Sequence, residues 1–458
     1  VRPIELSDFD FAVGFDVAVA DRDDRTIATS ADLLADALRA GKVGDMKTST
    51  STLGPLVLSL LFICPASGQQ RAAPNHDETL VPEFRLPDPL AGVSSPEQWP
   101  ARRQKILEQF AAEMYGKVPA EVTDDYVVKD QGTPQTVLAG KATMRQPVIT
   151  VAGRDLSLLV LLPAGVQDPV PVFLAYNFHG NHTVLDHPDI ALTDHWVRKG
   201  DHRAKEEQRG QSTSSYGAEQ IIDAGFGLVT LYYGDVDPDV DDDFQNGVHA
   251  AFENPPADDQ WGSIATWAWG LSRVLDYLET VPGIDAERVA VMGHSRLGKT
   301  ALWAGARDQR FSIVISNNSG CGGAALSRRR FGETVERINT VFPHWFCDNF
   351  LKYNDNEDAL PFDQHMLIAL MAPRPTYVAS AARDLHADPR GEFLATLHAS
   401  PVYELLGTSG LPADEMPPVD EPVHGQLGYH VRSGGHAVTA FDWQQYIAFA
   451  RKHWQPED

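Results

Sequence analysis

The stretch Arg288-Val-Ala-Val-Met-Gly293-His294-Ser295-Arg296-Leu297-Gly298 reads as an apolar strand, a sharp turn and the start of a helix. That arrangement presents a serine hydroxyl at a strand end, with the N–H groups of the next helix turned toward charge developing beside it. Nucleophilic acyl transfer needs such a site, because the attacked carbonyl oxygen becomes an oxyanion. The usual spacing is G-x-S-x-G; here Leu297 takes the place of the second glycine and Gly298 follows it. A serine after a strand also serves as a helix N-cap. The combination of strand, helix and a late histidine favours the nucleophile.

Ser295 needs a base and the base needs an orienting acid, in the chain order serine, acid, histidine. Val431-Arg-Ser-Gly-Gly-His436-Ala-Val-Thr offers a histidine flanked by glycines, in the last loop before the final helix. His436 is therefore the expected base and His430 the runner-up. The loop after the apolar run 376–380 carries Asp384 and Asp388. Asp384 is preferred because it lies nearer the strand end. Asp388 precedes a proline and reads equally as a turn former or helix cap.

Elements that would carry these residues follow from the apolar pattern. Runs at 148–151, 156–162, 170–176, 227–232, 288–292, 311–316 and 376–380 predict strands. Stretches at 104–115, 264–280, 299–306, 392–406 and 441–454 predict helices. The alternation implies a mostly parallel central sheet with helices on both faces, a three-layer α/β sandwich. With the serine turn and the late histidine, it predicts an α/β-hydrolase fold. Ligands in such sheets bind beyond the carboxyl ends of the strands.

Among the 458 residues, 43% are hydrophobic, enough for a large packed core, and the formal net charge is -25. That sign argues against nucleic acid and against an anionic membrane surface as partners. A monomer acting without cofactor is expected, and a metal site is not, since no CxxC or HExxH spacing occurs. The three cysteines are too few for a disulfide scaffold; Cys321 and Cys347 read either as one pair or as two buried thiols.

Met46-Lys47 opens a basic start, an apolar run and a small-residue exit near residues 66–68, the pattern of a secretory signal peptide. Residues 46–68 are thus expected to direct the chain to the periplasm or the exterior. Residues 1–45 then form an upstream segment. Residues 69–95, rich in Pro, Gln and Ser, read as a linker, and the catalytic domain as 96–458. The acidic run 235–243 is expected as a solvated loop rather than a calcium site, lacking the glycine and terminal glutamate of an EF-hand. The segment 177–183, Asn-Phe-His-Gly-Asn-His-Thr, falls where this fold places a second oxyanion donor, and reads otherwise as a turn held by Asn and Gly. Trp261, Trp267, Trp269 and Trp345 could line a sugar site; the first three fit a core helix equally well.

Several segments together resemble bacterial glucuronoyl esterases of carbohydrate esterase family fifteen. They are Gly293-His-Ser-Arg-Leu-Gly-Lys299, Asn318-Ser-Gly-Cys-Gly-Gly, Phe342-Pro-His-Trp-Phe346, Asp384-Leu-His-Ala-Asp-Pro-Arg-Gly-Glu-Phe393 and Gly434-Gly-His436. The likeness runs from about residue 96 to 454. It implies cleavage of the ester between 4-O-methyl-glucuronic acid of glucuronoxylan and lignin alcohols; acetyl and feruloyl xylan esters are the alternative, and a non-catalytic carbohydrate-binding homologue a further one. It implies that Ser295 attacks, that His436 is the base, and that Arg296 stabilises the oxyanion with its N–H and guanidinium. Lys299 and Glu333 would contact the uronate. Many members carry the catalytic Glu where this chain has Asn318, which turns attention to Asp384. A stacking tryptophan of the family is replaced by His386, whose smaller ring stacks more weakly.

Overall fold

The computed structural model describes residues 73–119, 122–198, 200–252 and 258–455. The upstream segment and the proposed signal at 46–68 lie outside the described residues. Twelve strands are found among them: β1 Tyr126–Asp130, β2 Gln135–Val137, β3 Ala142–Arg145, β4 Val148–Val151, β5 Arg154–Pro163, β6 Val170–Asn177, β7 Gly227–Tyr232, β8 Ile284–His294, β9 Ile313–Asn317, β10 Thr376–Ala381, β11 Val423–His424 and β12 Leu427–Arg432. Five longer helices accompany them: α1 Trp99–Phe110, α2 Ser263–Leu278, α3 Arg296–Arg307, α4 Pro389–Leu405 and α5 Ala440–Trp454.

Side chains along the central strands alternate between two cores, the period-two signature of a sheet covered on both faces. In β6, Val172, Leu174 and Tyr176 face one core while Phe173 and Ala175 face the other. In β8, Val289 and Val291 oppose Ala290 and Met292 in the same way. Helices α2 and α3 pack on the first face; Trp443, Tyr446 and Ile447 of α5 close the second. The α/β-hydrolase fold expected from the sequence is the one observed.

The central strands run β5-β7-β6-β8-β9-β10-β12. From β7 to β12 every pairing is parallel. Antiparallel β5 borders β7, and β3 and β4 pair with β5 in turn. The chain steps from β6 outward to β7, then crosses back so that β8 lies on the other side of β6. Strand order therefore reverses at β6, and the crevice beyond the carboxyl ends of β6 and β8 is the topological switch point where this architecture binds ligands. The loop at 177–183 and Ser295 both emerge there.

Two expectations change. Residues 73–95 are not a tether: they lie along the catalytic body. Glu78 pairs with Arg329, the carbonyl of Asn75 accepts from Gly332 N, and the carbonyl of Pro87 bonds the ring of His365. The acidic run is open to solvent only at its end, where Asp241 and Asp243 are exposed. Asp235, Asp237 and Asp239 are buried, paired with His195, His249 and a cluster of cations respectively. Val236 and Pro238 between them are buried as well, so the segment runs through the interior, where only paired charge is tolerated. No group of metal-binding side chains is found among the described residues.

Candidate active site

Ser295 sits between β8 and α3 with φ 57° and ψ -127°, a backbone conformation that side-chain-bearing residues adopt at a cost. Neighbouring glycines make the turn possible. A Cβ on Gly293 would lie 1.8 Å from the carbonyl oxygen of Leu297. The displaced second glycine has a physical cause. Leu297 is buried in the core, whereas a Cβ on Gly298 would come within 3.0 Å of Cβ of Ser319. The close approach that needs a glycine falls one residue later than usual. The N–H of Arg296, at the first helical position, has no acceptor within the helix and is available to an anion.

The loop 433–439 brings His436 to this turn. Its ring centroid lies 4.4 Å from that of His294, the residue before Ser295. His436 Nδ1 bonds Oδ2 of Asp384 at 2.6 Å. The same oxygen accepts from Nδ2 of Asn318 at 2.7 Å. Burial opposes ionisation of Asp384, but His436 and Asn318 outweigh it and hold the carboxyl below its usual range. An ionised acceptor requires a donor opposite, so His436 carries its proton on Nδ1 and offers Nε2 as a base. Asn318, which carries no charge, thus clamps the carboxylate of Asp384.

His430 and Asp388, the other candidates, are engaged elsewhere. His430 is fully buried between Asp442, at 3.0 Å, and the hydroxyl of Tyr377, at 3.0 Å. Asp388 caps α4 by accepting from Gly391 N at 2.9 Å and pairs with Arg329 at 2.8 Å. His294 donates Nδ1–H to Oδ1 of Asn317, and burial beside His436 drops its pKa to about 3, so it stays neutral under the base.

On one side of Ser295, Lys299 donates to the carbonyl of Ser319 at 2.5 Å and stands 3.7 Å from Glu333. Glu333 also bonds His386 at 3.3 Å. Burial opposes its charge, and Lys299 and His386 keep its pKa low. The structure thus gathers Lys299, Glu333 and His386, with the His386 side chain the most open at 32%. On another side, Arg296 lies over Trp345, 4.9 Å from the ring centre. Trp345 is only 3% exposed and stacked on Phe342 at 3.7 Å, so it is a buried wall and not the open sugar platform expected. Trp261, Trp267 and Trp269 are core residues. Cys321 and Cys347 are separate buried thiols. The segment 177–183 is held as a turn: Asn177 accepts from Gly180 N and donates to Asn181. Its Phe178 packs edge-on against His294.

Sequence reasoning missed Asp239, which reaches Arg296, and the part played by Asn318. Nothing local marked Asp239, since Val236 and Pro238 beside it are buried like the carboxylates.

A serine at a strained strand-to-helix turn, an imidazole from the last loop and a carboxylate from the loop after β10, on this sheet, define a hydrolase of the α/β-hydrolase fold. A family profile described as "Glucuronyl esterase, fungi" matches residues 215–407. Carbohydrate esterase MZ0003, from an unknown prokaryotic organism, is 49% identical over 399 residues, covering 83% of this chain and 92% of that protein. Two solved structures are similar: a promiscuous CE15 esterase from the marine bacterial metagenome, 49% identical with TM-score 0.78, and the glucuronoyl esterase of Solibacter usitatus, 44% identical with TM-score 0.77. They cover 83% and 82% of this chain and all of their own. The chain belongs to carbohydrate esterase family 15, the glucuronoyl esterases, and is a carboxylic ester hydrolase.

Proposed function

We propose that this esterase acts outside the cytoplasm on the ester joining 4-O-methyl-glucuronic acid of glucuronoxylan to lignin alcohols, through Ser295, His436 and Asp384. The observation that carries the mechanism is the 2.6 Å bond between His436 Nδ1 and Asp384 beside the Ser295 turn. His436 Nε2 removes the hydroxyl proton as Ser295 Oγ attacks the uronate ester carbonyl. The oxyanion is met by the N–H and guanidinium of Arg296. Collapse of the intermediate breaks the ester bond, and His436 returns the proton to the departing alcohol. Water, deprotonated by the same nitrogen, then attacks the glucuronoyl-serine and frees the acid. Lys299, Glu333 and His386 bind the sugar hydroxyls. The extracytoplasmic location is supported by the pattern at 46–68, and N-terminal sequencing of the mature protein tests it.

Benzyl glucuronate, 4-nitrophenyl acetate and methyl ferulate, compared by initial rate, test the substrate. Glucuronate should give the highest kcat/KM, and Ser295→Ala should abolish turnover, lowering kcat by about six orders of magnitude. Equal rates on ferulate would favour a broader esterase. That second reading draws support from the promiscuity stated of the metagenome relative and from His386, a weaker stacking surface than tryptophan.

A further inference from the structure

Five side chains converge on the carboxylate of Asp239, in the loop after β7. Oδ1 accepts from Nε2 of His344 at 2.8 Å and from Nε1 of Trp345 at 2.8 Å. Oδ2 accepts from the hydroxyl of Tyr233 at 3.0 Å and pairs with the guanidinium groups of both Arg198 and Arg296. The Asp239 side chain is fully buried. Arg296 is the residue after Ser295, and its guanidinium spans the rings of Trp345, Phe342 and Phe178, at 4.9, 5.7 and 5.8 Å.

We propose that Asp239 is a positioning residue for ester hydrolysis, fixing the guanidinium of Arg296 beside Ser295 so that the cation meets the oxyanion already oriented. The inference rests on the roles proposed above for Ser295 and Arg296. An arginine side chain has many rotamers, and ordering it during the reaction would subtract from any stabilisation it gives; a donor fixed beforehand avoids that loss. Asp239 supplies the fixing charge, and the aromatic rings supply the walls.

The sign of the cluster also fits. A lone Asp–Arg pair is neutral and attracts an anion poorly. Here one carboxylate serves two guanidinium groups, so the cluster keeps a net positive charge, one of its cations belonging to the residue after Ser295. Burial opposes ionisation of Asp239, yet Arg296, His344 and Arg198 together hold its carboxyl well below the usual range. It therefore stays charged wherever the enzyme works. The bond from Arg198 to Asp239 also ties the loop after β6 to the loop after β7.

The test is a double-variant cycle on benzyl glucuronate with Asp239→Asn, Arg296→Ala and the pair, each checked for folding by near-ultraviolet circular dichroism. Asp239→Asn should lower kcat by about 100-fold while KM moves less than about three-fold. In the Arg296→Ala background the same change should cost little more, because the group it positions is gone. Multiplicative losses in the double variant, or an unchanged kcat in Asp239→Asn, would overturn the proposal. If Asp239→Asn does not fold, Tyr233→Phe removes one donor from the same oxygen and leaves the charge. A several-fold fall in kcat that vanishes in Arg296→Ala is then expected, and an unchanged kcat sinks the idea. Turnover by the wild type and its loss in Ser295→Ala report the underlying reading separately. A wild-type kcat in Arg296→Ala would overturn the role of Asp239 while leaving the esterase intact.

Discussion

Asp384 and Asp388 lie within one loop, and their surroundings separate their roles. Asp384 touches the base and is touched by Asn318; Asp388 touches a helix end and Arg329. Asp384→Asn should leave the chain folded and lower kcat by up to about four orders of magnitude, because an amide favours the wrong imidazole tautomer and offers no counter-charge. Asp388→Asn should cost about 1–3 kcal/mol of stability, through a weakened cap and ion pair, with kcat close to wild type. Kinetics of both variants beside their thermal melts check the division; a crippled Asp388→Asn at full stability would reverse the assignment. Asn318→Ala should fall between, since it frees one side of the carboxylate but leaves its charge. That His436 and Asp384 meet near the Ser295 turn was readable in the sequence, because chain order and loop glycines constrain them. The clamp by Asn318 was not, because nothing local shows that a side chain from the loop after β9 meets one from the loop after β10.

The strand β12 and the loop it feeds set where His436 stands. Arg432, at the end of β12, is buried and turned into its own loop. Its Nη1 donates to the carbonyl of Ser433 at 2.9 Å, and Nη2 to those of Gly435, at 2.9 Å, and Ala437. Its Nε bonds Oδ2 of Asp442 at 2.8 Å, and Asp442 caps α5 through Thr439. The guanidinium thus fixes the peptide on both sides of His436. Arg432→Met should lower both the melting temperature and kcat, the latter by about 100-fold with KM little changed, since a base displaced by about 1 Å loses that much. Arg432→Lys should regain stability by keeping charge against Asp442, yet stay slow, because an ammonium cannot span three carbonyls. Recovery of kcat in step with stability would mean that the loop needs only the charge. β12 escaped the sequence reading for the same reason that it matters: Gly428, His430 and Arg432 break the apolar run, although all are buried or paired. Strands β6, β7 and β10 were legible because both faces are covered and most of their residues are apolar. The short β1, β2 and β11 carry no such run.

At the scale of the whole molecule, the residues before 96 show how composition misleads. Pro, Gln and Ser suggested a tether, but Pro-rich chain can also lie extended against a surface and give it carbonyls, as Pro87 and Pro89 do for His365 and Arg102. Stability against pH follows from groups buried across the body. His294 and His365 are kept neutral by burial down to about 3 and about 4, while an unfolded histidine charges near 6.5. Their contribution is full above 6.5 and is lost as pH falls toward those values. Glu392 acts on the alkaline side. Burial raises its pKa to about 8, against 4.5 for a free side chain, although Ser380 and the N–H groups of Gly320 and Ser319 favour its charge. Its contribution is full below 4.5, shrinks as pH rises, and is gone above 8. The folded state should therefore lose stability at both ends of the range. Glu392→Gln preserves the acceptor for the two N–H groups and a polar group for Ser380 Oγ, but cannot ionise. Between pH 6 and 8 the wild type should lose about 2–3 kcal/mol relative to this variant, each pH unit of linkage being about 1.4 kcal/mol. Urea unfolding of both proteins at pH 4, 6, 8 and 9 measures it: the two should be closest at pH 4 and differ by a constant amount above pH 8. Parallel curves across the whole range would mean that Glu392 is already ionised in the folded chain, held by its four donors despite its burial.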